Sequence, residues 1–182
     1  MPGQPALFLD RDGNLIRDHH HTSRVEQIEP LPGVREALHR CMAAGYGLFI
    51  LTNQSGIGRG FFTWDDYRAC HHRMLELLDL PAPGFLDTMA APERPDEPSL
   101  YRKPSPRFIT ESIARHGLDP ARCWMVGDRR TDWMAGLAAG IRACAVRSGA
   151  PFREGDELHA RENGVPIRAD FPEFVRRDLG LA

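Results

Sequence analysis

Short apolar runs alternate along the chain with longer segments in which apolar residues recur at helical spacing. A short apolar run bounded by Gly, Asn or Asp is typical of a strand buried in a parallel sheet, whereas the longer spacing is typical of an amphipathic helix. Strands are predicted at Ala6–Leu9, Gly47–Leu51, Phe85–Met89, Cys123–Val126 and Ile141–Val146. Helices are predicted at Gly33–Ala44, Trp64–Leu78, Ser105–His116, where Pro106 takes the first helical position, and Thr131–Ala139, with Phe171–Leu179 as a closing helix on the sheet edge.

This alternation predicts an α/β fold, a three-layer Rossmann-like sandwich with a mainly parallel sheet. A length of 182 residues is that of about one domain, so residues 1–182 are expected to form a single domain. A loop rich in Pro, Glu and Asp is expected at Ala90–Arg102, between the third strand and the helix that follows.

Net charge, apolar stretches and cysteine spacing indicate which partners and which cellular compartment to expect. A net charge of −2 provides no general attraction to nucleic acid or to an anionic membrane, so neither is expected as a partner. We find no apolar stretch of the ~20 residues that a membrane span needs and no signal peptide in the opening residues. The four cysteines are scattered, which is typical of free thiols in a reducing compartment. We therefore expect a cytoplasmic protein that is a monomer or a weak dimer.

Polar residues follow several of the predicted strands directly. Asp10 and Asp12 come after the first strand, Thr52 and Asn53 after the second, and Asp128 after the fourth. The carboxyl ends of parallel strands meet at one edge of a sheet, where ligands bind in such folds. Two acids placed there are costly to bury unless a cation or a hydrogen-bond network compensates them, which indicates a functional site.

These residue types suit phosphoryl transfer. A carboxylate such as Asp10 can attack phosphorus and form an aspartyl-phosphate, and a second acid two residues later can protonate the leaving oxygen and then activate water. Asp128 and Asp10 could hold Mg²⁺, which prefers a few carboxylates together with water and phosphate oxygens. Lys103 could offset the negative charge of nucleophile and phosphate, and Thr52 could receive phosphate oxygens.

The motifs that contain these residues resemble those of haloacid dehalogenase (HAD)-type phosphatases. The motifs are Asp10-x-Asp12-Gly13, Thr52 at a second strand end, Lys103 before a helix, and Gly127-Asp128-x-x-x-Asp132. Within that superfamily, Asp-Arg-Asp-Gly-Asn, Thr-Asn-Gln-Ser-Gly-Ile-Gly-Arg-Gly, Arg-Lys-Pro and Met-Val-Gly-Asp are similar to the histidinol-phosphatase and heptose-bisphosphate-phosphatase group. The short connections around these motifs leave no room for an inserted cap domain, so a capless HAD-like fold is expected.

The resemblance implies a role for each motif residue. Asp10 would be the nucleophile and a metal ligand, and Asp12 the general acid and base, with its main-chain carbonyl on the metal. Asp128 would be a further metal ligand. Asp132 would either contact the residues that bind the metal or be an alternative ligand itself. The implied cofactor is Mg²⁺.

The phosphoryl group would be bound by Thr52 and Lys103, with help from Asn53. Arg59 and Arg102 are candidates for gripping the remaining groups of the substrate, because a guanidinium can hold a second phosphate through two hydrogen bonds.

The chain departs from this group in one loop. Relatives usually carry three cysteines and a histidine before the Arg-Lys-Pro motif, where they bind structural zinc. Residues 90–102 contain neither cysteine nor histidine, so no zinc is expected there. A loop stiffened by three prolines is expected instead.

The expected activity is that of a Mg²⁺-dependent phosphomonoesterase on a small phosphorylated metabolite, with D-glycero-D-manno-heptose 1,7-bisphosphate as the first candidate. Histidinol phosphate and a polynucleotide 3′-phosphate are alternatives, because enzymes for both substrates carry similar motifs. A non-catalytic module that binds a phosphorylated ligand is the remaining alternative. Retention of both Asp10 and Asp12 counts against it, since clustered acids would repel a phosphate.

Overall fold

One parallel sheet of six strands forms the centre of the computed structural model, which describes residues 3–181. The strands are β1 (Ala6–Leu9), β2 (Gly47–Asn53), β3 (Phe85–Ala91), β4 (Trp124–Gly127), β5 (Arg142–Val146) and β6 (Ile167–Arg168). The helices are α1 (Val34–Ala43), α2 (Ser55–Gly58), α3 (Trp64–Leu78), α4 (Arg107–His116), α5 (Arg130–Ala138), α6 (Asp156–Glu162) and α7 (Phe171–Arg177). Residues 1, 2 and 182, which complete the single domain predicted from the sequence, lie outside the described residues.

The strand order places the three polar strand ends side by side. The order is β3-β2-β1-β4-β5-β6, and every neighbouring pair is parallel. The chain builds outward from β1 through β2 and β3, then returns to β4 on the other side of β1. The order therefore reverses at β1, and ligands of open α/β sheets bind at the carboxyl ends of the strands beside such a reversal. The predicted α/β class is confirmed.

Helices cover both faces of the sheet, which gives the predicted three layers. Successive residues of a strand point to opposite faces, so each strand contributes to two cores. One core contains Leu7, Leu9, Leu48 and Ile50 from the strands with Leu38, Met74, Phe171 and Phe174 from α1, α3 and α7. The other contains Phe8, Phe49, Leu51 and Met125 with Phe108, Trp133 and Ala160 from α4, α5 and α6. Burial on both faces explains why the strands read as continuous apolar runs.

Several predicted boundaries were wrong by one or two residues. Strands β2 and β3 continue past their apolar runs, because Thr52 pairs with Ala90 and Asn53 pairs with Ala91. The loop predicted from Ala90 therefore begins at Pro92. Helix α4 begins at Arg107, and Pro106 is its N-cap residue rather than its first helical residue. The two strands extend because their backbones pair with each other, and the pattern of apolar side chains does not predict that pairing.

The prediction for the segment after Arg147 was incomplete. It omitted α6 and the two-residue edge strand β6, both too short to show a clear period. Earlier in the chain, the prediction also omitted the single-turn helix α2. The closing helix is confirmed as α7, which packs against α1, β5 and β6. Its N-cap residue, Asp170, accepts a hydrogen bond from the Glu173 N–H at 2.7 Å.

Among residues 3–181, no helix combines the length and the apolar character that crossing a bilayer requires.

Candidate active site

The segment after β1 folds into a tight turn that carries the first acid. Asp10 is buried, and its Oδ1 accepts hydrogen bonds from the Arg11 backbone N–H at 2.8 Å and lies 2.8 Å from Nζ of Lys103. Gly13 adopts a φ of +84° in the turn. The buried Asn14 side chain donates to the carbonyl oxygens of Asp10 (3.2 Å) and Val126 (3.3 Å), which ties the turn to the end of β4. These contacts hold Asp10 at the carboxyl end of β1, between β2 and β4.

Three buried carboxylates meet at this point. Ligand oxygens of Asp10, Asp128 and Asp132 lie within 4.8 Å of one another. Burial raises the pKa of Asp10 to about 6, although the Lys103 charge lowers it. Burial, reinforced by the charges of Asp10 and Asp132, raises the pKa of Asp128 to about 8. Burial and mutual repulsion therefore oppose the ionisation of Asp10 and Asp128, and a bound cation would favour it.

The donor set of this cluster fits a magnesium ion. Asp128 Oδ2 accepts a hydrogen bond from the Ala150 N–H at 2.6 Å, whereas Asp128 Oδ1 is buried and has no hydrogen-bond partner among the described residues. An unpartnered carboxylate oxygen beside two further carboxylates is the hard oxygen environment that Mg²⁺ prefers. The predicted ligands Asp10 and Asp128 are brought together, and Asp132 lies close enough to join them. The side chain of Asp12 lies outside this cluster, and the sequence prediction assigned only its main-chain carbonyl to the metal.

Lys103 is the buried counter-charge of the cluster. Its Nζ lies 2.8 Å from Asp10 Oδ1 and 2.7 Å from Asp132 Oδ1. Burial lowers the pKa of Lys103, but the two carboxylates outweigh burial and raise it above its usual value, so the ammonium group stays charged. Asn53 fixes this residue, because its side-chain amide accepts from the Lys103 N–H (2.9 Å) and donates to the Lys103 carbonyl (3.1 Å). The two hydrogen bonds of Asn53 therefore go to the backbone of Lys103.

The carboxylate of Asp12 has its own partners. Its Oδ2 accepts from Arg11 Nε at 2.9 Å and from Gln54 Nε2 at 2.8 Å, and its Oδ1 accepts from Arg11 Nη2 at 3.1 Å. Burial raises the pKa of Asp12, but the charge and hydrogen bonds of Arg11 and the bond from Gln54 outweigh it and hold the pKa below its usual value. Gln54 Nε2 also donates to Thr52 Oγ1 at 2.9 Å, which links Asp12 to the predicted phosphate-binding threonine.

These groups lie in one cavity of about 670 Å³ at the carboxyl end of the sheet. The predicted site residues that line it are Asp10, Asp12, Thr52, Asn53, Arg102, Lys103, Asp128 and Asp132. The remaining prediction, Arg59, is not brought there; it lines a separate cavity of about 280 Å³ with Phe61, Arg94 and Asp96. His20 and His21 reach the rim of the main cavity. The cavity therefore gathers all the predicted residues except Arg59.

Hydrogen bonds hold the loop between β3 and α4, in which no zinc was expected. Arg102 Nη1 donates to the Glu93 carbonyl at 3.0 Å, and the Arg102 N–H donates to Ser99 Oγ at 3.0 Å. The Arg94 N–H donates to Glu97 Oε2 at 2.8 Å, and Ser105 Oγ donates to the Leu100 carbonyl at 2.6 Å. These contacts place Arg102 in the cavity wall.

Sequence reasoning assigned no role to three residues that shape the site. Arg11 and Gln54 hold Asp12, and Arg129 lines the cavity and donates to Asp18 Oδ2 at 3.0 Å. The position of Arg11 could have predicted its role. An arginine between two acids, directly after a buried strand, is expected to be buried and to pair with one of them. Gln54 and Arg129 carried no comparable signal, since their partners lie 42 and 111 residues away in the chain.

Comparisons with known proteins identify the family of this chain. The family model described as HAD-hydrolase-like matches residues 100–174. The D-glycero-beta-D-manno-heptose-1,7-bisphosphate 7-phosphatase of Rhodopseudomonas palustris is 37% identical over 148 residues, which are 77% of this chain and 82% of that protein. The D-glycero-D-manno-heptose-1,7-bisphosphate 7-phosphatase of Thermosynechococcus vestitus is 33% identical, with 100% of this chain and 94% of that protein covered.

Solved structures give the same relationship. The crystal structure of D,D-heptose 1,7-bisphosphate phosphatase from B. bronchiseptica, complexed with magnesium and phosphate, matches with a TM-score of 0.83 at 27% identity. The match covers 97% of this chain and 99% of that one. A putative HAD-like phosphatase from Mesorhizobium loti matches with a TM-score of 0.72 at 34% identity, covering 85% of this chain and 78% of that one. This chain belongs to the haloacid dehalogenase-like hydrolases, in the family of the heptose-1,7-bisphosphate phosphatases, and is a phosphoric monoester hydrolase.

Proposed function

We propose that this enzyme is a Mg²⁺-dependent phosphatase that removes the 7-phosphate of D-glycero-D-manno-heptose 1,7-bisphosphate through an aspartyl-phosphate on Asp10. The observation that carries the proposal is the buried Asp10 carboxylate, 2.8 Å from the ammonium group of Lys103, in a cavity that Thr52 and Asp128 also line. The substrate is inferred from the names of the relatives, which match most of the chain. A cavity of about 670 Å³ is of the size typical for small-molecule sites.

The first half of the reaction transfers the phosphoryl group to Asp10. Oδ1 of Asp10 is held by the Arg11 N–H and by Lys103, while no residue among 3–181 donates to Oδ2. Oδ2 is therefore free to attack phosphorus. The bond from phosphorus to the sugar oxygen breaks, and the leaving oxygen takes a proton from the carboxyl group of Asp12. Lys103 lies beside the nucleophile and Thr52 lines the same cavity, so both could bind the phosphoryl oxygens.

The second half hydrolyses the aspartyl-phosphate. The carboxylate of Asp12, left by the first step, takes a proton from water as the water oxygen attacks phosphorus, and Asp10 leaves as a carboxylate. Phosphate departs and Asp12 carries a proton again, as it did at the start of the first step. Arg11 and Gln54 favour the carboxylate of Asp12 in the free protein. The negative charge of a bound phosphate opposes them, so Asp12 carries its proton in the substrate complex. One residue thus acts first as acid and then as base.

Asp10, Asp128 and Asp132 would hold the magnesium ion. When bound, it would compensate the clustered carboxylates and the charge that develops on the transferred phosphoryl group. Arg102 lies in the cavity wall, where its guanidinium could bind the second phosphate of a bisphosphate through two hydrogen bonds.

The proposal is tested by measuring phosphate release from heptose 1,7-bisphosphate, histidinol phosphate and a 3′-phosphorylated oligonucleotide, with Mg²⁺ and with EDTA. We expect the heptose bisphosphate to have the highest kcat/KM and EDTA to abolish turnover. Preference for either other substrate would replace the substrate assignment. Absence of release from all three would favour a module that only binds phosphorylated ligands.

The covalent step is tested with Asp10→Asn. The amide is not nucleophilic, so turnover should fall below detection while the protein remains folded. Acid-quenched wild-type protein should carry label from substrate labelled in the phosphate, and the variant should not. Turnover that survives Asp10→Asn would exclude the aspartyl-phosphate route.

A further inference from the structure

Arg11 is a buried cation in contact with the acid and base of the proposed reaction. Its side chain is 0% exposed, whereas that of Asp12 is 18% exposed toward the cavity. Two of its nitrogens bind the two oxygens of Asp12, at 2.9 and 3.1 Å. The guanidinium carbon lies 5.0 Å from the centre of the Tyr67 ring, so the planar group is held on one side by a carboxylate and on the other by an aromatic face.

Arg11 cannot act on the substrate directly. It is absent from the lining of the cavity, and its full burial leaves no surface for a phosphate to touch. Stability alone does not account for it either, since a buried ion pair is often no more stabilising than apolar side chains of the same volume. The backbone N–H of Arg11 also donates to Asp10 Oδ1, but its side chain bonds only Asp12 among the described residues. We therefore expect an effect of the Arg11 side chain on the reaction to pass through Asp12.

We propose that Arg11 is a positioning residue that fixes the carboxyl group of Asp12 in place for its two proton transfers. Asp12 has a side chain with two rotatable bonds and must present an oxygen first to the leaving group and then to water. Two hydrogen bonds from a planar, immobile guanidinium define the plane of the carboxyl group, which one hydrogen bond could not do. Oδ2 accepts from both Arg11 and Gln54, while Oδ1 accepts one bond from Arg11, so Oδ1 keeps the greater capacity to carry the proton.

This inference rests on the proposed function, and a double-mutant cycle separates the two. The variants are Arg11→Met, Asp12→Asn and the double variant, assayed on the substrate of the panel above that the wild type turns over most efficiently. We expect Arg11→Met to lower kcat by about tenfold to a hundredfold, the order of loss that follows a small misplacement of a reacting group. KM should stay within about twofold, because Arg11 does not line the cavity. In the Asp12→Asn background the same substitution should lower kcat no further.

Arg168→Met is the matched control. Arg168 binds Asp178 through Nε and Nη2, both at 2.7 Å, which is the same two-bond geometry between β6 and the end of α7. Its loss should reduce thermal stability and leave kcat unchanged. Arg11→Lys keeps the charge but not the planar fork, and we expect it to recover part of the kcat that Arg11→Met loses.

Three outcomes would overturn the inference. Equal losses of kcat from Arg11→Met in the wild-type and Asp12→Asn backgrounds would show an effect that does not pass through Asp12. A rise in KM with unchanged kcat would assign Arg11 to substrate binding. Wild-type protein that releases phosphate from no substrate would overturn the proposed function, and this inference with it. If Arg11→Met does not fold, Arg11→Lys takes its place in the cycle, with the same readouts.

Discussion

Nζ of Lys103 lies 2.7 Å from Oδ1 of Asp132, and neither side chain is more than 1% exposed. Asp132 therefore shares Lys103 with the proposed nucleophile Asp10, whose Oδ1 lies 2.8 Å from the same nitrogen. The Oδ2 of Asp132 accepts from the Arg129 N–H at 2.8 Å, which joins this pair to the start of α5. If Asp10 is the nucleophile, Asp132 competes with it and with the substrate phosphate for the charge of Lys103.

Asp132→Asn should lower kcat by about tenfold to a hundredfold and raise the Mg²⁺ concentration for half-maximal activity. The amide keeps the shape and the hydrogen bond to α5 but removes one of the two negative charges beside Lys103, which then pairs more tightly with Asp10. Mg²⁺ titrations of activity measure both effects. Asp66→Asn is the control, because Asp66 occupies the same capping position in α3, away from the site, and should leave both values unchanged. Unchanged activity in Asp132→Asn would contradict the assignment.

Gly13→Ala should reduce both stability and activity. Gly13 has a φ of +84°, and a Cβ built there would lie 2.8 Å from Asp128 Oδ2 and from the Gly149 backbone. Gly45 has the same φ with nothing within 4 Å of its Cβ position, so Gly45→Ala isolates the backbone strain. Both variants should lose about 1–2 kcal/mol of the free energy of unfolding from that strain. Only Gly13→Ala should also lose more than about tenfold in kcat, through displacement of Asp128. Denaturant titrations and kinetics measure the two effects, and equal kcat values in the two variants would refute the argument.

Mg²⁺ should stabilise the folded protein, because it binds three carboxylates that are brought together only on folding. At a concentration about a hundredfold above Kd, the stabilisation is about 2.7 kcal/mol, or a rise in Tm of roughly 5–10 °C for a chain of this size. Asp128→Asn should lose most of this shift while retaining an acceptor for the Ala150 N–H. Thermal unfolding with Mg²⁺ or EDTA measures it. An equal Tm with and without Mg²⁺ in the wild type would argue against the metal site.

Arg102→Gln should raise KM for a sugar bisphosphate by about tenfold to a hundredfold, because a charge-assisted hydrogen bond to phosphate is worth roughly 1.5–3 kcal/mol. The rise should be much smaller with a sugar monophosphate, which has no second phosphate for Arg102 to hold. Arg59→Gln is the comparison, since Arg59 lies outside the main cavity and should change KM less. Steady-state kinetics with the two substrates measure these changes in KM. Equal KM changes for bisphosphate and monophosphate would place Arg102 on another part of the substrate.

Local patterns predicted the backbone of the site well. The end of β1 before Asp10 and the start of α3 at Trp64 follow from residues close together in the sequence. The Thr63 side chain caps α3. Side-chain partners were harder to predict. Asn53 was expected to help bind phosphate, yet both of its hydrogen bonds go to the backbone of Lys103, 50 residues away. Such a partner depends on where two loops meet, which neither loop encodes by itself.

The sequence by itself determined the α/β class and the family. It also predicted that Asp10, Asp12, Lys103 and Asp128 meet in one site, and all four line the main cavity. Buried strands that end in acids are a recognisable local signal. Only the tertiary structure decided which charges pair. It placed Lys103 between Asp10 and Asp132, gave Asp12 to Arg11 and Gln54, and left Arg59 outside the cavity. The reason is physical: periodicity and turn residues direct the course of the backbone, whereas the pairing of buried charges depends on distances between segments that only the assembled sheet brings together.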